Sequence, residues 1–201
     1  MLLSNKALEL IKAKYEDNHK DRLTHTLGVA EMAEYLANRY GVDKEKALIA
    51  AYLHDYCKYD DVSYAKNVLK EEEIKDCEIF PFLYHAYLSA EAYKELFKDN
   101  FDIDIYNAIK YHVFGRPNMS LLEAIIMIAD YTEKNRKYPS CVACRKILVD
   151  DNNLDLAIFK SLEWTLDFAK REGHTPHPAQ ILVMEEYERK VKEDEFRNNN
   201  C

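Results

Sequence analysis

Apolar residues recur at every third or fourth position along this chain, and no convincing stretch alternates between apolar and polar residues. The clearest case is the face formed by Leu23, Leu27, Ala30, Ala33 and Ala37. Only 4 Gly and 5 Pro occur among 201 residues, against roughly 12% in average proteins. Few turn formers mean few turns, which argues against a many-stranded sandwich or barrel. The pattern therefore predicts an all-α fold, a helical bundle.

Short polar residues and glycine mark where the first helices begin and end. Gly41 ends the helix that starts near Leu23, and Asp43 caps the next one. Asp102 and Ser120 are placed to cap two later helices, the second of which is the most apolar in the chain. These signals predict helices over residues 23–40, 43–53, 83–97, 102–112 and 121–131.

The last third of the chain follows the same helical pattern. Pro139 interrupts it before a short segment over residues 142–148. Asp151 or Asn152 is predicted to cap the long amphipathic helix that follows. The last helix is predicted over residues 179–191, with a polar, frayed, charged tail after it.

The chain shows no repeat, linker or change of composition, so residues 1–201 are predicted to form one domain with its core over about residues 20–190. The formal net charge is −8, from 28 Lys and Arg against 36 Asp and Glu. This balance argues against a broad nucleic-acid-binding surface. No uncharged stretch approaches the roughly 20 residues that span a bilayer, which argues against a membrane protein.

Five cysteines form an odd set in a chain without a signal-like start, which is typical of a reduced protein of the cytoplasm. They are Cys57, Cys77, Cys141, Cys144 and Cys201. The spacing Cys141-x-x-Cys144 is that of half a zinc ribbon or a redox pair, but no second pair accompanies it. The role of this pair, and of His174 and His177 in a proline-rich loop, stays open.

Several of the 7 histidines fall inside predicted helices. His25 shares a helical face with apolar residues, and His54 is followed at once by Asp55. Asp130 ends the most apolar run of the chain, where an unpaired carboxylate would be costly. Each histidine alone is more simply explained as a hydrogen-bonded core or surface residue.

Together, the unusual positions supply four imidazoles and two carboxylates on the helices of one domain. This inventory suits a borderline cation such as iron, manganese or zinc. It is also large enough for two ions that share one carboxylate. The six residues are His25, His54, Asp55, His85, His112 and Asp130.

The order of these residues resembles that of the HD-domain metal-dependent phosphohydrolases. The matching positions are Arg22-x-x-His25, His54-Asp55, Lys58 and Asp130. Further blocks are similar to one subgroup, the symmetrical diadenosine tetraphosphate hydrolases of the YqeK type. These blocks are Leu83-Tyr84-His85, residues 108–112 with Gly115, and Ala129-Asp130-Tyr131-x-Glu133-x-x-Arg136. The likeness extends over roughly residues 22–187.

The resemblance implies a metal site in the helical core and a role for each ligand. One ion would be held by His25, His54, Asp55 and Asp130, and Asp55 would bridge to a second ion completed by His85 and His112. The ions would be divalent or of mixed valence, with iron favoured and manganese or cobalt left open. The implied reaction is hydrolysis of diadenosine tetraphosphate to two ADP by a metal-bound hydroxide, with Asp55 and Lys58 as catalytic residues.

Capture of a polyphosphate by a chain of charge −8 requires local positive charge. Lys58 follows His54 by one helical turn and could contact a phosphate oxygen, or it could be an ordinary surface lysine. Arg116, in the loop after His112, is a second candidate for substrate binding. The alternative for Arg116 is an ordinary surface residue.

Three further residues near the ligands have two interpretations each. Arg22 and Arg136 could bind substrate, or they could orient Asp130 or Glu133. Glu133 could hydrogen-bond a ligand histidine or act in proton transfer, or it could form an ion pair with Arg136.

The expected partner is a small-molecule nucleotide, neither nucleic acid nor a membrane. Three alternatives stay open: an HD hydrolase of another nucleotide such as a nucleoside monophosphate or a guanosine polyphosphate, a di-iron oxygenase, and a non-catalytic nucleotide-binding module. The sequence leaves undecided the number of bound ions, the preference for adenine or guanine, and the oligomeric state, with a homodimer among the options.

Overall fold

The computed structural model describes residues 2–199, so Met1, Asn200 and Cys201 lie outside the described residues. Within residues 2–199 the chain forms eleven α-helices and no β-strand, which confirms the all-α prediction. The helices are α1 (Leu3–Tyr15), α2 (Lys20–Tyr40), α3 (Lys44–Leu53), α4 (Ala65–Val68), α5 (Glu71–Ile79), α6 (Tyr84–Leu96), α7 (Ile103–Lys110), α8 (Leu121–Thr132), α9 (Pro139–Val149), α10 (Leu154–Arg171) and α11 (Pro178–Asn199). Short 3₁₀ turns occupy Val62–Tyr64, Pro81–Leu83 and Lys98–Asn100.

The short helix α3 lies at the centre of the bundle. It packs against α1, α2, α6, α7 and α8. Its buried alanines Ala47, Ala50 and Ala51 are small enough to let these neighbours approach closely. Because α3 is surrounded, the residues at its C-terminal end lie in the interior of the fold.

Helix α8 supplies the apolar wall opposite α3. Every residue from Leu122 to Ala129 is buried, including the capping residue Glu123. A helix that is apolar on all sides requires neighbours on all sides. Helices α2, α3, α7, α9 and α10 provide them, and α11 packs on the outer side of α10.

The predicted helix ends are largely confirmed. Gly41 ends α2 with a left-handed φ of 71°, and the Asp43 carboxylate accepts a hydrogen bond from Lys46 N at the start of α3. Asp102 caps α7 in the same way. Ser120 forms a capping box with Glu123 at the start of α8.

Three predicted boundaries in the last third are wrong. Pro139 is the first residue of α9 rather than an interruption before it, a position where its missing N–H costs nothing. Asn153 caps α10, because Asn152 adopts a left-handed φ of 51° outside the helix. The last helix runs on to Asn199 instead of fraying near residue 191, and the ion pairs Glu188–Lys192 and Glu193–Arg197, each one turn apart, support this extension.

Helix α1 also contributes to the core, although it precedes the predicted start of the core near residue 20. Ala7, Ile11 and Tyr15 are buried against α3. Among residues 2–199, the helices lack the combination of length and apolar character that a bilayer-spanning segment requires.

Candidate metal centre

The six predicted ligands meet inside the bundle, most of them at the ends of helices. They lie in α2 (His25), at the C-terminal end of α3 (His54 and Asp55), in the first turn of α6 (His85), just after α7 (His112) and in the last turns of α8 (Asp130). Their donor atoms form three overlapping triads, each within 4.8 Å, that could hold metal ions. Residues more than one hundred positions apart therefore share one site.

Asp55 lies between the four imidazoles, and each of its two carboxylate oxygens faces a different pair of them. Its Oδ2 is 4.0 Å from His25 Nε2 and 3.4 Å from His54 Nε2. Its Oδ1 is 3.0 Å from His85 Nε2 and 3.7 Å from His112 Nε2. This division is the arrangement that a carboxylate shared by two cations requires.

Asp130 belongs to the Oδ2 side of this cluster. Its Oδ1 lies 3.0 Å from His25 Nε2. Donor atoms of His54, His112 and Asp130 also form one of the three triads. Asp130 is therefore placed to complete the coordination of a cation next to His25 and His54.

Backbone and side-chain acceptors orient three of the imidazoles. Nδ1 of His54 donates to the Ala51 carbonyl and Nδ1 of His112 donates to the Ile109 carbonyl, each at 2.7 Å. Nδ1 of His25 lies 3.3 Å from Glu133 Oε1. With the proton on Nδ1, each ring directs the lone pair of Nε2 into the site, as is usual for histidine ligands of metals.

The donor atoms that face the interior of the site lack hydrogen-bond partners, as atoms that bind a cation would. His25 Nε2, His54 Nε2 and Asp55 Oδ1 are buried and make no hydrogen bond. Nε2 of His85 and Nε2 of His112 face each other at 3.2 Å. Buried lone pairs in contact are costly unless a proton or a metal ion lies between them, so this donor set fits bound metal.

Three of the six predicted ligands, Asp55, Asp130 and His112, have the protonation state that metal binding needs. Burial opposes ionisation of Asp55, but the imidazoles around it, led by His54, outweigh burial and hold the pKa of the carboxyl well below 3.8. At Asp130, burial is outweighed by Arg136, and the pKa is again well below 3.8. Burial lowers the pKa of His112 to about 3. At His54, burial is outweighed by Asp55 and the pKa lies above 6.5, so a metal ion would displace a proton there.

Two arginines orient the carboxylates of the site. Arg22 Nη1 donates to Asp55 Oδ2 at 2.6 Å, so its partner is Asp55 and not Asp130 or Glu133 as the sequence suggested. Arg136 donates through Nη2 to Asp130 Oδ1 at 2.7 Å and through Nε to the Asp130 carbonyl at 2.6 Å. These contacts fix the orientation of both carboxylates. Each carboxylate still has a lone pair directed into the site, where it could bind a cation.

Glu133 pairs with the histidine rather than with the arginine. Its Oε1 contacts His25, and its Oε2 accepts from the backbone and side-chain nitrogens of Asn135 at 2.6 and 2.9 Å. The carboxylate is 1% exposed. The predicted Glu133–Arg136 ion pair does not form, because Arg136 is turned toward Asp130.

The two cations expected to bind phosphate have different surroundings. Lys58 Nζ lies 3.6 Å from Asp55 Oδ1 and 3.2 Å from His85 Nε2, at the edge of the site. Arg116 donates to both oxygens of the buried Glu123 at 2.7 and 2.9 Å. A phosphate contact by Arg116 therefore requires a guanidinium that already has a carboxylate partner.

Two supporting residues were missed by the sequence reasoning. Tyr15 Oη lies 2.7 Å from the carbonyl oxygen of Asp55 and 2.9 Å from that of Tyr56, and its single proton, shared between them, holds the turn that carries the central carboxylate. Gly28 faces Glu133 so closely that a side chain would overlap the carboxylate. A glycine in the middle of a helix was the available signal, because glycine weakens a helix unless packing requires it.

The residues whose role the sequence left open lie apart from these ligands. Cys141 and Cys144 are buried free thiols, and burial raises the pKa of both. His177 Nε2 contacts Asp76 Oδ1 at 2.9 Å and ties the loop before α11 to α5. His174 is exposed.

Comparison with known proteins agrees with the site. Residues 22–135 match the model of the HD domain family. The chain is similar to the curated "Bis(5'-nucleosyl)-tetraphosphatase, symmetrical" of Halalkalibacterium halodurans, with 38% identity over 86% of this chain and 90% of that protein. The proteins of the same name from Bacillus subtilis and Staphylococcus aureus are 35% and 30% identical, over 88% and 94% of this chain and 93% and 98% of those proteins.

A solved structure shares the fold. It is a predicted HD superfamily hydrolase involved in NAD metabolism from Clostridium acetobutylicum, with a TM-score of 0.78 and 30% identity over 92% of this chain and 97% of that one. All six predicted ligands, from His25 to Asp130, lie within the matched residues 22–135. The chain therefore belongs to the HD-domain family, in the group formed with these symmetrical bis(5'-nucleosyl)-tetraphosphatases.

Proposed function

We propose that this protein is a metal-dependent hydrolase that cleaves dinucleoside tetraphosphates symmetrically. In this reaction water enters at one of the two inner phosphates, the bond between them breaks, and two nucleoside diphosphates leave. With diadenosine tetraphosphate the products are two ADP. The observation that carries the proposal is the two-sided cluster around Asp55, in a chain whose relatives of that name match it over most of their length.

The donor set divides into two groups that share Asp55. His25, His54, Asp55 and Asp130 would hold one ion, and Asp55, His85 and His112 would hold the other. When bound, the ions would lower the pKa of coordinated water from 15.7 toward about 7 and offset the charge on the phosphate oxygens. A phosphoanhydride resists hydrolysis because its oxygens repel a nucleophile, so both effects address the barrier.

The protein's own residues keep this donor set in place. Arg22 fixes the rotation of the Asp55 carboxylate, and Arg136 fixes Asp130. Glu133 holds the proton of His25 on Nδ1 and so keeps Nε2 free to coordinate. Such outer contacts reduce the reorganisation that substrate binding would otherwise demand.

Lys58 would act on the substrate itself. Its side chain is 31% exposed, and its ammonium group lies at the rim of the cluster next to His85 and Asp55. A lysine there can donate to a phosphate oxygen as a mobile point charge. This local charge would offset the repulsion between a polyphosphate and a chain of net charge −8.

Iron is the metal favoured by the family resemblance, and the mixed imidazole and carboxylate ligands suit it as they suit manganese or cobalt. The free thiols of Cys57, Cys77, Cys141 and Cys144 support a reducing compartment such as the cytoplasm.

Product analysis tests the proposal. The protein, loaded separately with Fe²⁺, Mn²⁺ or Co²⁺, is incubated with diadenosine tetraphosphate and the nucleotides are separated. ADP as the sole product supports symmetrical cleavage, whereas AMP with ATP contradicts it. Asp55→Asn, prepared in the same way, measures the background from contaminating phosphatases.

The same samples decide the alternatives. Turnover of a nucleoside monophosphate or a guanosine polyphosphate with none of the tetraphosphate would assign another HD hydrolase. Activity that disappears when oxygen is removed would assign oxygen chemistry. Binding without turnover under every metal would assign a non-catalytic module.

A further inference from the structure

A cleft of about 820 Å³ lies between the segment from Tyr131 to Cys141 and the exposed face of α10. Small-molecule sites in proteins commonly have volumes of about 300–1,000 Å³. The cleft is therefore large enough for a nucleoside. None of the six predicted metal ligands lines it.

One side chain borders both the cleft and the metal centre. Arg136 lines the cleft and also donates to the carboxylate of Asp130. The ligand residue and the cleft thus lie on opposite sides of a single guanidinium. A nucleotide with its phosphates at the metal centre would therefore have to pass Arg136 to place its nucleoside in the cleft.

The face of α10 in the cleft carries aromatic rings that no other ring covers. Trp164 and Phe168 are one helical turn apart and point to the same side, and Phe168 is 55% exposed. Tyr138 faces them from the start of α9. Within residues 2–199, none of these three rings stacks on another aromatic ring. Uncovered rings of this kind are the usual platform for a nucleic-acid base.

Positive charge lies at the same end of the cleft. Lys170 and Arg171 line it, and over the described part of the chain neither has an ion-pair partner. Asp167 is the acidic residue that lines the cleft. Cations in the last turn of a helix also offset its dipole, but unpaired cations beside uncovered rings match a group that is both aromatic and anionic.

We propose that this cleft binds one nucleoside of the substrate, with its base against Trp164 and Phe168 and its adjacent phosphate near Lys170 and Arg171. The proposal rests on the proposed function, because it places one end of a dinucleoside polyphosphate whose inner phosphates lie at the metal centre. Anchoring one nucleoside at a fixed place also determines which phosphorus reaches the metals, which is what symmetrical cleavage requires.

The chain carries its own reporter for this site, because Trp164 is its single tryptophan. Metal-loaded protein is titrated with ADP, and its emission is excited at the red edge of indole absorption, where adenine does not absorb. A base stacked on the indole changes the emission in a saturable way. Inorganic pyrophosphate, which has the phosphates but no nucleoside, leaves it unchanged.

Steady-state kinetics supply the second measurement. Phe168→Ala and Lys170→Glu should each raise the KM for diadenosine tetraphosphate. The loss of stacking in Phe168→Ala should raise it about tenfold. The kcat should stay unchanged in both variants, because neither residue contacts the reacting phosphates. Leu182→Ala on α11, a residue 52% exposed, is the matched control for the apolar change. Lys98→Glu, at an exposed lysine between α6 and α7, is the control for the charge change.

Two results would overturn the proposal. In the first, ADP inhibits hydrolysis but leaves the emission of Trp164 constant, or pyrophosphate changes that emission as much as ADP does. The other is a wild-type KM in both cleft variants. If the wild-type protein does not cleave the tetraphosphate at all, the proposed function fails, and the ADP titration still decides whether a nucleoside occupies the cleft.

Discussion

Substituting Gly28 by alanine should weaken metal binding, although Gly28 offers no ligand atom. Gly28 lies in the middle of α2, directly against the carboxylate of Glu133. A Cβ atom there would overlap Glu133 Oε2 and lie 2.9 Å from Asn135 Nδ2. The carboxylate cannot move away freely, because it is 1% exposed and Oε2 accepts two hydrogen bonds from Asn135. Its displacement would disturb the contact of Oε1 with His25 Nδ1 at 3.3 Å.

Two magnitudes follow from this geometry. Loss of an outer contact to a metal-binding histidine costs about 10- to 100-fold in metal affinity. Overpacking a core costs about 1–3 kcal/mol, and replacing a helix-interior glycine by alanine returns up to about 1 kcal/mol. The Gly28→Ala protein without metal should therefore lose about 1 kcal/mol of unfolding free energy, which is small enough for the variant to fold.

Competition against a metal chelator measures the affinity, and denaturant unfolding of the metal-free protein measures the stability. The matched background is Glu133→Ala, in which the obstructing carboxylate is gone. There Gly28→Ala should cause little further loss of metal affinity, since the two changes act through one contact. Wild-type affinity in Gly28→Ala, or an equal loss in both backgrounds, would refute the role of Glu133.

Further substitutions separate chemistry from stability. Lys58→Ala should keep its metal and lose about a hundredfold in kcat/KM, and unchanged kinetics would remove Lys58 from the substrate site. Tyr15→Phe, which deletes the donor to the Asp55 carbonyl, should lower the unfolding free energy by about 1 kcal/mol in a denaturant titration, and an unchanged midpoint would contradict this. Lys110→Met leaves the Glu73 carboxylate buried without its partner and should cost about 2 kcal/mol, measured as a fall in Tm. Burial opposes ionisation of Glu73, but the contact with Lys110 outweighs burial and holds the pKa of the carboxyl below 4.5. The stabilisation from this ion pair is therefore present above pH 4.5 and is lost as the pH falls through the lowered pKa. Below pH 4.5 the wild-type protein should lose stability more steeply than Lys110→Met. Parallel acid profiles would contradict that assignment.

The helices were predictable because their signals are local. A cap such as Ser120 or a stop such as Gly41 acts on the residues of its own turn, and the structure confirms both. The end of α11 was missed because the charged stretch was taken for a solvated tail, whereas ion pairs one turn apart within it, such as Glu193–Arg197, also support a helix.

The pairing of side chains within the site was less predictable. The six predicted ligands followed from histidines and carboxylates on buried helix faces, together with the family resemblance. The partner of Arg22 is decided by how closely α2 approaches the end of α3, and the partner of Glu133 by how α8 packs on α2. These distances depend on tertiary packing and have no counterpart in the spacing of residues along the chain.

The content of metal per chain, measured on wild type and two variants, tests the central claim most directly. The account predicts two ions in the wild-type protein, loss of both together with turnover in Asp55→Ala, and loss of only one in His85→Ala, because Asp55 touches both groups of ligands and His85 touches one. An Asp55→Ala protein that retains both ions, or that turns over substrate without metal, would contradict it.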